Sequence, residues 1–274
     1  MTKKRILFIS QEIFPFLPKN DLSSSSKRLS QGLQENGKEI RVFMPRYGSI
    51  NERRHQLHEV IRLSGMNIVI DDHDHQLIIK VASIPSAKLQ VYFIDNEEYF
   101  KRKHVVTNDQ GEYFEDNDER AIFFCKGVLE TVKKLGWQPD VIMCQGWLGM
   151  FMPLYIKNIF DKDPHFTNTK IILSLCNSDF NKKFDPRLIE KLRFDGFSKE
   201  VLKGLEEASF ENILRKAVKF SDGIAVLSEE LNDVCKKIYD EADCLKLEYK
   251  PEEHQNKEMS EFIDKVLEVE ELVE

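Results

Sequence analysis

Apolar residues along this chain follow two rhythms. Short unbroken runs at 5–10, 39–44, 140–144, 170–175 and 223–227 read as buried parallel strands. Between them the spacing is helical. Leu22, Leu29 and Leu33 share one face of a segment over 22–36 that Gly37 stops, and Ile122, Val128, Leu129 and Val132 mark a long helix over 117–135. Helical segments at 149–160, 186–194, 199–219 and 229–239 follow. This alternation predicts an α/β fold: a Rossmann-like, doubly wound, mostly parallel sheet with right-handed crossovers.

Three further runs, 66–70, 77–84 and 89–94, are separated by turn signals and predict an antiparallel insertion. Residues 50–63 are polar and basic, and 99–115 form an irregular, aromatic-rich loop. Beyond Tyr249 the chain turns acidic, with Phe262, Ile263, Val266 and Leu267 spaced for a peripheral helix over 259–273. The expected organisation is one domain over 1–249 and a helical tail over 250–274, with no internal repeat. Ligands of open α/β sheets bind at the carboxyl ends of strands. The turn Gln145-Gly146-Trp147-Leu148, between the strand at 140–144 and the next helix, is therefore where a site is expected.

Composition narrows the function. The 274 residues carry 40 basic and 47 acidic side chains, a net charge of −7, which argues against a nucleic-acid partner because phosphate neutralisation needs a basic face. No run reaches membrane-spanning length, and the apolar run after the basic start is too short for a signal peptide. Five scattered cysteines in no metal-binding spacing suggest reduced thiols in a cytoplasm. No cofactor is implied.

Several motifs have a chemical and a plain reading. Ser23–Ser26 offers hydroxyls and amides to an anion at a helix start, but a solvated capping run is the simpler account. Asp71-Asp72-His73-Asp74-His75 has metal-binding residue types, yet lies between two strand runs, where alternating side chains diverge. The string His55-Gln56-Leu57-His58-Glu59 lacks the order of a zinc hydrolase and reads as a solvated helix face. Cys176 has no histidine nearby in sequence and reads as a half-buried inert thiol.

Four strings in register resemble one family. YFEDNDERAIFF from Tyr113 is similar to the Y-x-D-N-x-x-R-F-x-x-F segment of bacterial glycogen synthases and plant starch synthases. LGWQPDVIMCQGW from Leu135 is similar to their L-G-W-x-P-D strand entering a D-W-H turn. NILRKAVKFSDGIAVLS from Asn212 and Pro45-Arg46-Tyr47 match two further family segments. The resemblance implies the N-terminal half of a GT-B glucosyltransferase, an enzyme that moves glucose from ADP-glucose to an α-1,4-glucan. In such enzymes this half mainly serves the glucan.

The departures are equally specific. The family's K-T-G-G-L loop is replaced by Pro18-Lys19-Asn20-Asp21-Leu22, so Lys19, Asn20 and Asp21 are the counterparts of the donor-phosphate loop. The family's reaction-centre histidine corresponds to Leu148, and a second histidine corresponds to Cys176, beside a retained Asn177. All seven histidines lie elsewhere, and no catalytic residue or metal ligand is assigned. Trp147, Asp116, Asn117, Arg120 and Asn177 are the acceptor-glucan candidates implied. For each a structural role stands beside the binding one: Trp147 as interior packing, Asp116 or Asn117 as a helix cap. The expectation is a glucosyltransferase-type domain that is inactive alone or dependent on a partner. ADP-glucose would bind only if a donor domain is supplied in trans. A glucan-binding or regulatory scaffold, with a homo-oligomeric or protein partner, is the alternative.

Overall fold

The computed structural model describes residues 3–177 and 183–269. Strand β1 (Arg5–Ser10) leads through helix α1 (Asp21–Glu35) to β2 (Glu39–Pro45). Short helix α2 (Glu52–His55), β3 (His58–Glu59), β4 (Met66–Ile70), β5 (His73–Ile84), β6 (Leu89–Asp95) and short helix α3 (Glu97–Phe100) follow. Helix α4 (Asn117–Lys134) carries the chain to β7 (Val141–Gln145), α5 (Met152–Asn158) and β8 (Lys170–Leu175). The remainder comprises α6 (Leu188–Phe194), α7 (Lys199–Leu202), α8 (Phe210–Lys219), β9 (Gly223–Val226), α9 (Asp233–Glu241), β10 (Leu245–Leu247) and α10 (Glu252–Glu268).

The strand order is β10-β9-β8-β7-β1-β2-β6-β5-β3, with β4 paired to β5. From β10 to β6 every pairing is parallel. The chain steps outward from β1 through β2 to β6, returns through α4, and steps outward the other way from β7, so winding reverses between β1 and β7. These central strands are buried on both faces, which is why they read as continuous apolar runs.

The sheet differs from expectation in one respect: the run at 89–94 is not part of an antiparallel insertion. It pairs parallel with β2, Val42 opposite Val91, and only its other edge carries the antiparallel β5. Burial explains this, since Val91, Phe93 and Ile94 are all fully enclosed, as a central strand requires. His58 and Glu59, expected on a helix face, pair with Val81 and Lys80 of β5.

Helix boundaries moved where caps compete with apolar spacing. The helix expected over 199–219 is broken, because Ser209 caps α8 by accepting from Asn212 N. Asn232 delays α9 in the same way. The helix expected from 149 begins at Met152, after a 3₁₀ turn at Trp147–Gly149. Helix α10 starts seven residues before the expected 259, and 270–273 lie outside the described residues. Met259, Phe262, Ile263 and Val266 are buried, and α10 lies against α1. The approach is close: a Cβ on Gly32 would fall 2.2 Å from the Asn256 side chain. Among the described residues no helix is long and apolar enough to cross a membrane.

Candidate functional site

The carboxyl ends of β1 and β7 meet at the reversal point, and a weave of neutral hydrogen bonds holds them. Gln11 N donates to Gln145 O at 3.2 Å, and Trp147 N donates to Gln11 Oε1 at 3.1 Å. Gly146 has φ +89°, and a Cβ there would lie 2.6 Å from Gln11 Oε1, so both the backbone and the space require glycine. Gln145 Nε2 donates to Ser25 Oγ at 2.7 Å, and the Ser10 and Ser26 hydroxyls are 2.8 Å apart. Ser23, Ser25 and Ser26 are buried, so the serine run expected to be solvated instead sews α1 to the reversal point.

The first turn of α1 is capped by its own neighbours. Asn20 Oδ1 accepts from Ser23 N at 2.7 Å, and Ser23 Oγ accepts from Asn20 N at 3.0 Å, a reciprocal capping box. Asn20 Nδ2 donates to Glu12 Oε2 at 2.6 Å. Lys19 projects into solvent, while Asp21 and Glu12 bring negative charge to the positive end of the helix dipole. A phosphate at this helix start would meet two carboxylates and a capped amide.

A cavity of about 570 Å³ lies beside this end of α1, reaching Ser25, Asn177, Ser228 and the first turn of α10. Asn177 spends its side chain across the two strand ends: Nδ2 donates to Glu230 O at 2.6 Å and Oδ1 accepts from Asn232 N at 2.8 Å. Arg28 is held by Glu252 at 2.9 Å and Gln255 at 2.6 Å. Leu148 is fully buried, and burial pushes the Cys176 thiol up to about 12, so neither group moves a proton near neutrality.

On the other side of Trp147 an open groove of about 640 Å³ runs between the loop before α4 and the segment before α6. Tyr113, Phe114, Glu115, Asn117, Phe184 and Asp185 line it. Behind the lining residue Asn117 lies Arg120, which is fully buried and, among the described residues, forms no ion pair with a carboxylate. Arg120 Nε donates to Tyr99 O at 2.9 Å, and Nη1 donates to Val105 O at 2.7 Å and Asn117 Oδ1 at 2.6 Å. Asn117 Nδ2 donates to Val106 O at 3.0 Å. These two residues therefore pin the loop from 99 to 116 onto α4. Burial pulls the Arg120 guanidinium down to about 10, still charged at neutral pH.

Asp116 occupies the N-cap position of α4 but makes no capping bond; its carboxylate is forked by Arg102 at 2.6 and 2.5 Å. The Arg102 and Arg120 guanidinium carbons lie 4.5 and 5.0 Å from the Phe114 ring centroid. Trp147 is 2% exposed and packs on Phe184, ring centroids 6.3 Å apart, so it backs the groove instead of lining it. Of the sequence candidates, Asp116, Asn117 and Arg120 form one cluster with Trp147 behind the facing rim. Asn177 and residues 19–21 lie at the α1 side.

The metal-like string is a hairpin. Asp71 and Asp72 have φ of 47° and 67°, the two-residue turn that joins β4 to β5. His75 is bound to Glu98 at 2.8 Å and to the Tyr99 hydroxyl at 3.0 Å, and Asp71 to Arg187 at 2.8 Å, so the members diverge.

Three carboxylates that the sequence did not single out do converge: Asp118, Glu119 and Asp185. Their centre is the Lys191 ammonium, at 2.8, 2.7 and 2.7 Å respectively. Burial pushes Asp118 up to about 6 against the pull of Lys191. Burial also opposes the charge on Lys191, but the three carboxylates hold its ammonium well above the ordinary lysine range. A signal existed in the sequence: Lys191 stands three residues after Leu188 and beside Leu192, a charged residue on the apolar stripe of its helix.

Comparison with known proteins agrees over most of the chain. The family model described as the starch synthase catalytic domain matches residues 5–243. The glycogen synthase of Chlorobaculum parvum is 35% identical over 226 residues, 82% of this chain and 46% of that protein. That of Chlorobium limicola is 39% identical over 174 residues, 63% of this chain and 36% of that protein. The chain thus spans less than half the length of these relatives. The catalytic domain of starch synthase IV from Arabidopsis thaliana, solved with ADP and acarbose bound, shares the fold. Its TM-score is 0.67 at 16% identity, covering 82% of this chain and 45% of that one.

Proposed function

Because the chain belongs to the starch synthase catalytic domain family, we propose that it is the acceptor-side domain of a glycogen/starch synthase-type glucosyltransferase, binding an α-1,4-glucan in the groove between Tyr113 and Phe184. The groove carries this reading: aromatic faces alternate with carboxylate and amide groups, the combination that packs on sugar rings and accepts their hydroxyls. Asn117, Asp116 and Arg120 hold its near wall, and Trp147 supports its far wall.

Donor chemistry is a different matter for these residues. The helix start at Lys19–Asn20–Asp21 presents a closed cap and two acids where a diphosphate would need free amides and positive charge. Leu148 and Cys176 supply no proton donor. ADP-glucose therefore binds, and glucose is transferred, only with a donor side contributed by residues outside these 274 or by another chain.

Calorimetry with maltoheptaose and, separately, ADP-glucose tests this. Maltoheptaose is expected to bind with a Kd of about 1 mM or tighter, equivalent to roughly 4 kcal/mol, and to raise the melting temperature. ADP-glucose is expected to do neither. Binding of ADP-glucose alone would reverse the assignment of the two sides. Binding of neither would leave the fold to a protein partner.

A further inference from the structure

The groove has two walls on different segments, and one buried cation joins them. The far rim, residues 183–186, leads into α6, while the near wall sits on the first turn of α4. Lys191 of α6 is 2% exposed and reaches Asp118 and Glu119 of α4, together with Asp185 of the rim itself. An ammonium has three donors, and all three are taken. The other end of α6 is also fastened. Asp195 accepts from Lys126 of α4 at 2.5 Å and from the Tyr155 hydroxyl of α5.

We infer that Lys191 is the positioning residue of the groove: its ammonium is the resident cation of a three-carboxylate site, and that cation sets the distance between the two walls. Without it three carboxylates, with ligand oxygens within 4.8 Å of one another, would repel and drive the rim off α4. The ammonium's distances of 2.8, 2.7 and 2.7 Å to the three carboxylates lie within a few tenths of an ångström of a calcium–oxygen distance of ~2.4 Å, so a divalent ion of that class fits where the ammonium sits. The far rim is tied to the rest of the fold by Phe184 N donating to Ala208 O at 2.7 Å, which gives it a local reporter. The role of Lys191 in sugar binding rests on the function proposed above; its role in holding the rim does not.

The experiment compares the full chain with Lys191→Met, by hydrogen exchange at the amides of Phe184 and Leu188 and by calorimetry with maltoheptaose, each with and without millimolar calcium. In Lys191→Met both amides should exchange about tenfold faster and maltoheptaose affinity should fall about tenfold. Calcium should restore both in the variant and change neither in the parent, where the site is filled; a chelator should abolish the restoration. Unchanged exchange at Phe184 and Leu188 in Lys191→Met overturns the inference. So does faster exchange that calcium fails to slow, because the carboxylates then do not form a cation site. Should Lys191→Met not fold, Asp185→Ala takes its place, removing the rim's own ligand while leaving Asp118 and Glu119 on Lys191. Rim exchange must then rise, and parental exchange rejects the positioning role. If the parent binds no maltoheptaose, the glucan reading fails, while the exchange and calcium results still decide the role of Lys191.

Discussion

The two sides of the reversal point are held by different forces. On the α1 side the contacts that join the helix to the strand ends are neutral, hydroxyl to hydroxyl, amide to hydroxyl, and a capping box of Asn20 and Ser23, with charge at its margin where Arg28 meets Glu252. On the groove side they are charged: Arg102 on Asp116, Lys126 on Asp195, and Lys191 among three carboxylates. The neutral side spends its hydroxyls and the Asn20 and Ser23 cap on the fold and, among the described residues, presents no free cation beside the helix start but the solvent-facing Lys19. On the charged side ion pairs tie α6 and the rim before it to α4, and an open hollow with aromatic and carboxylate faces lies between those segments. Polar residues at a strand end thus signal a site only when their bonds are not already spent on the fold.

Arg120→Leu should break the groove side most severely. It strips the partner from Tyr99 O, Val105 O and Asn117 Oδ1, and a loss of roughly 3 kcal/mol in urea unfolding is expected. A loss under about 1 kcal/mol would mean the loop before α4 is held by other contacts. Gly146→Ala strikes the neutral weave, since the positive φ and the Gln11 side chain both oppose a Cβ; about 2 kcal/mol should be lost. The cap is a smaller feature: Asn20→Ala should remove about 1 kcal/mol and leave maltoheptaose affinity unchanged. If affinity falls with the cap, the sugar lies on the α1 side after all.

A pH comparison separates the sides most finely. The Asp118 carboxyl is pushed up to about 6 in the folded chain, against an ordinary value near 3.9 when unfolded. Between those values the folded state binds the proton more tightly, so the contribution of this group to stability rises as pH falls through 6. Relative to Asp118→Asn, the parent should therefore gain stability from pH 7 to pH 5, read as a growing difference in melting temperature. The neutral α1 side predicts no such trend in Asn20→Ala.

Much of this was legible in the residues themselves. Continuous apolar runs place the strands of the parallel sheet because burial on both faces leaves no alternation to observe. The glycine of the Gln145–Leu148 turn is local geometry written in residue type, whereas Asn20, placed by the resemblance in the donor-phosphate loop, caps α1 in the structure. Four family strings in register point to the starch synthase catalytic domain, which the matches over 5–243 bear out.

What sequence alone determined is therefore the order of elements and the family, both of which follow from local periodicity and short motifs. Which polar groups are spent and which remain open was decided only by tertiary structure. Lys191 is 73 residues from Asp118, and Gln145 is 120 residues from Ser25. Whether a buried charge is balanced, or an amide already paired, depends on partners that folding alone brings within hydrogen-bonding distance.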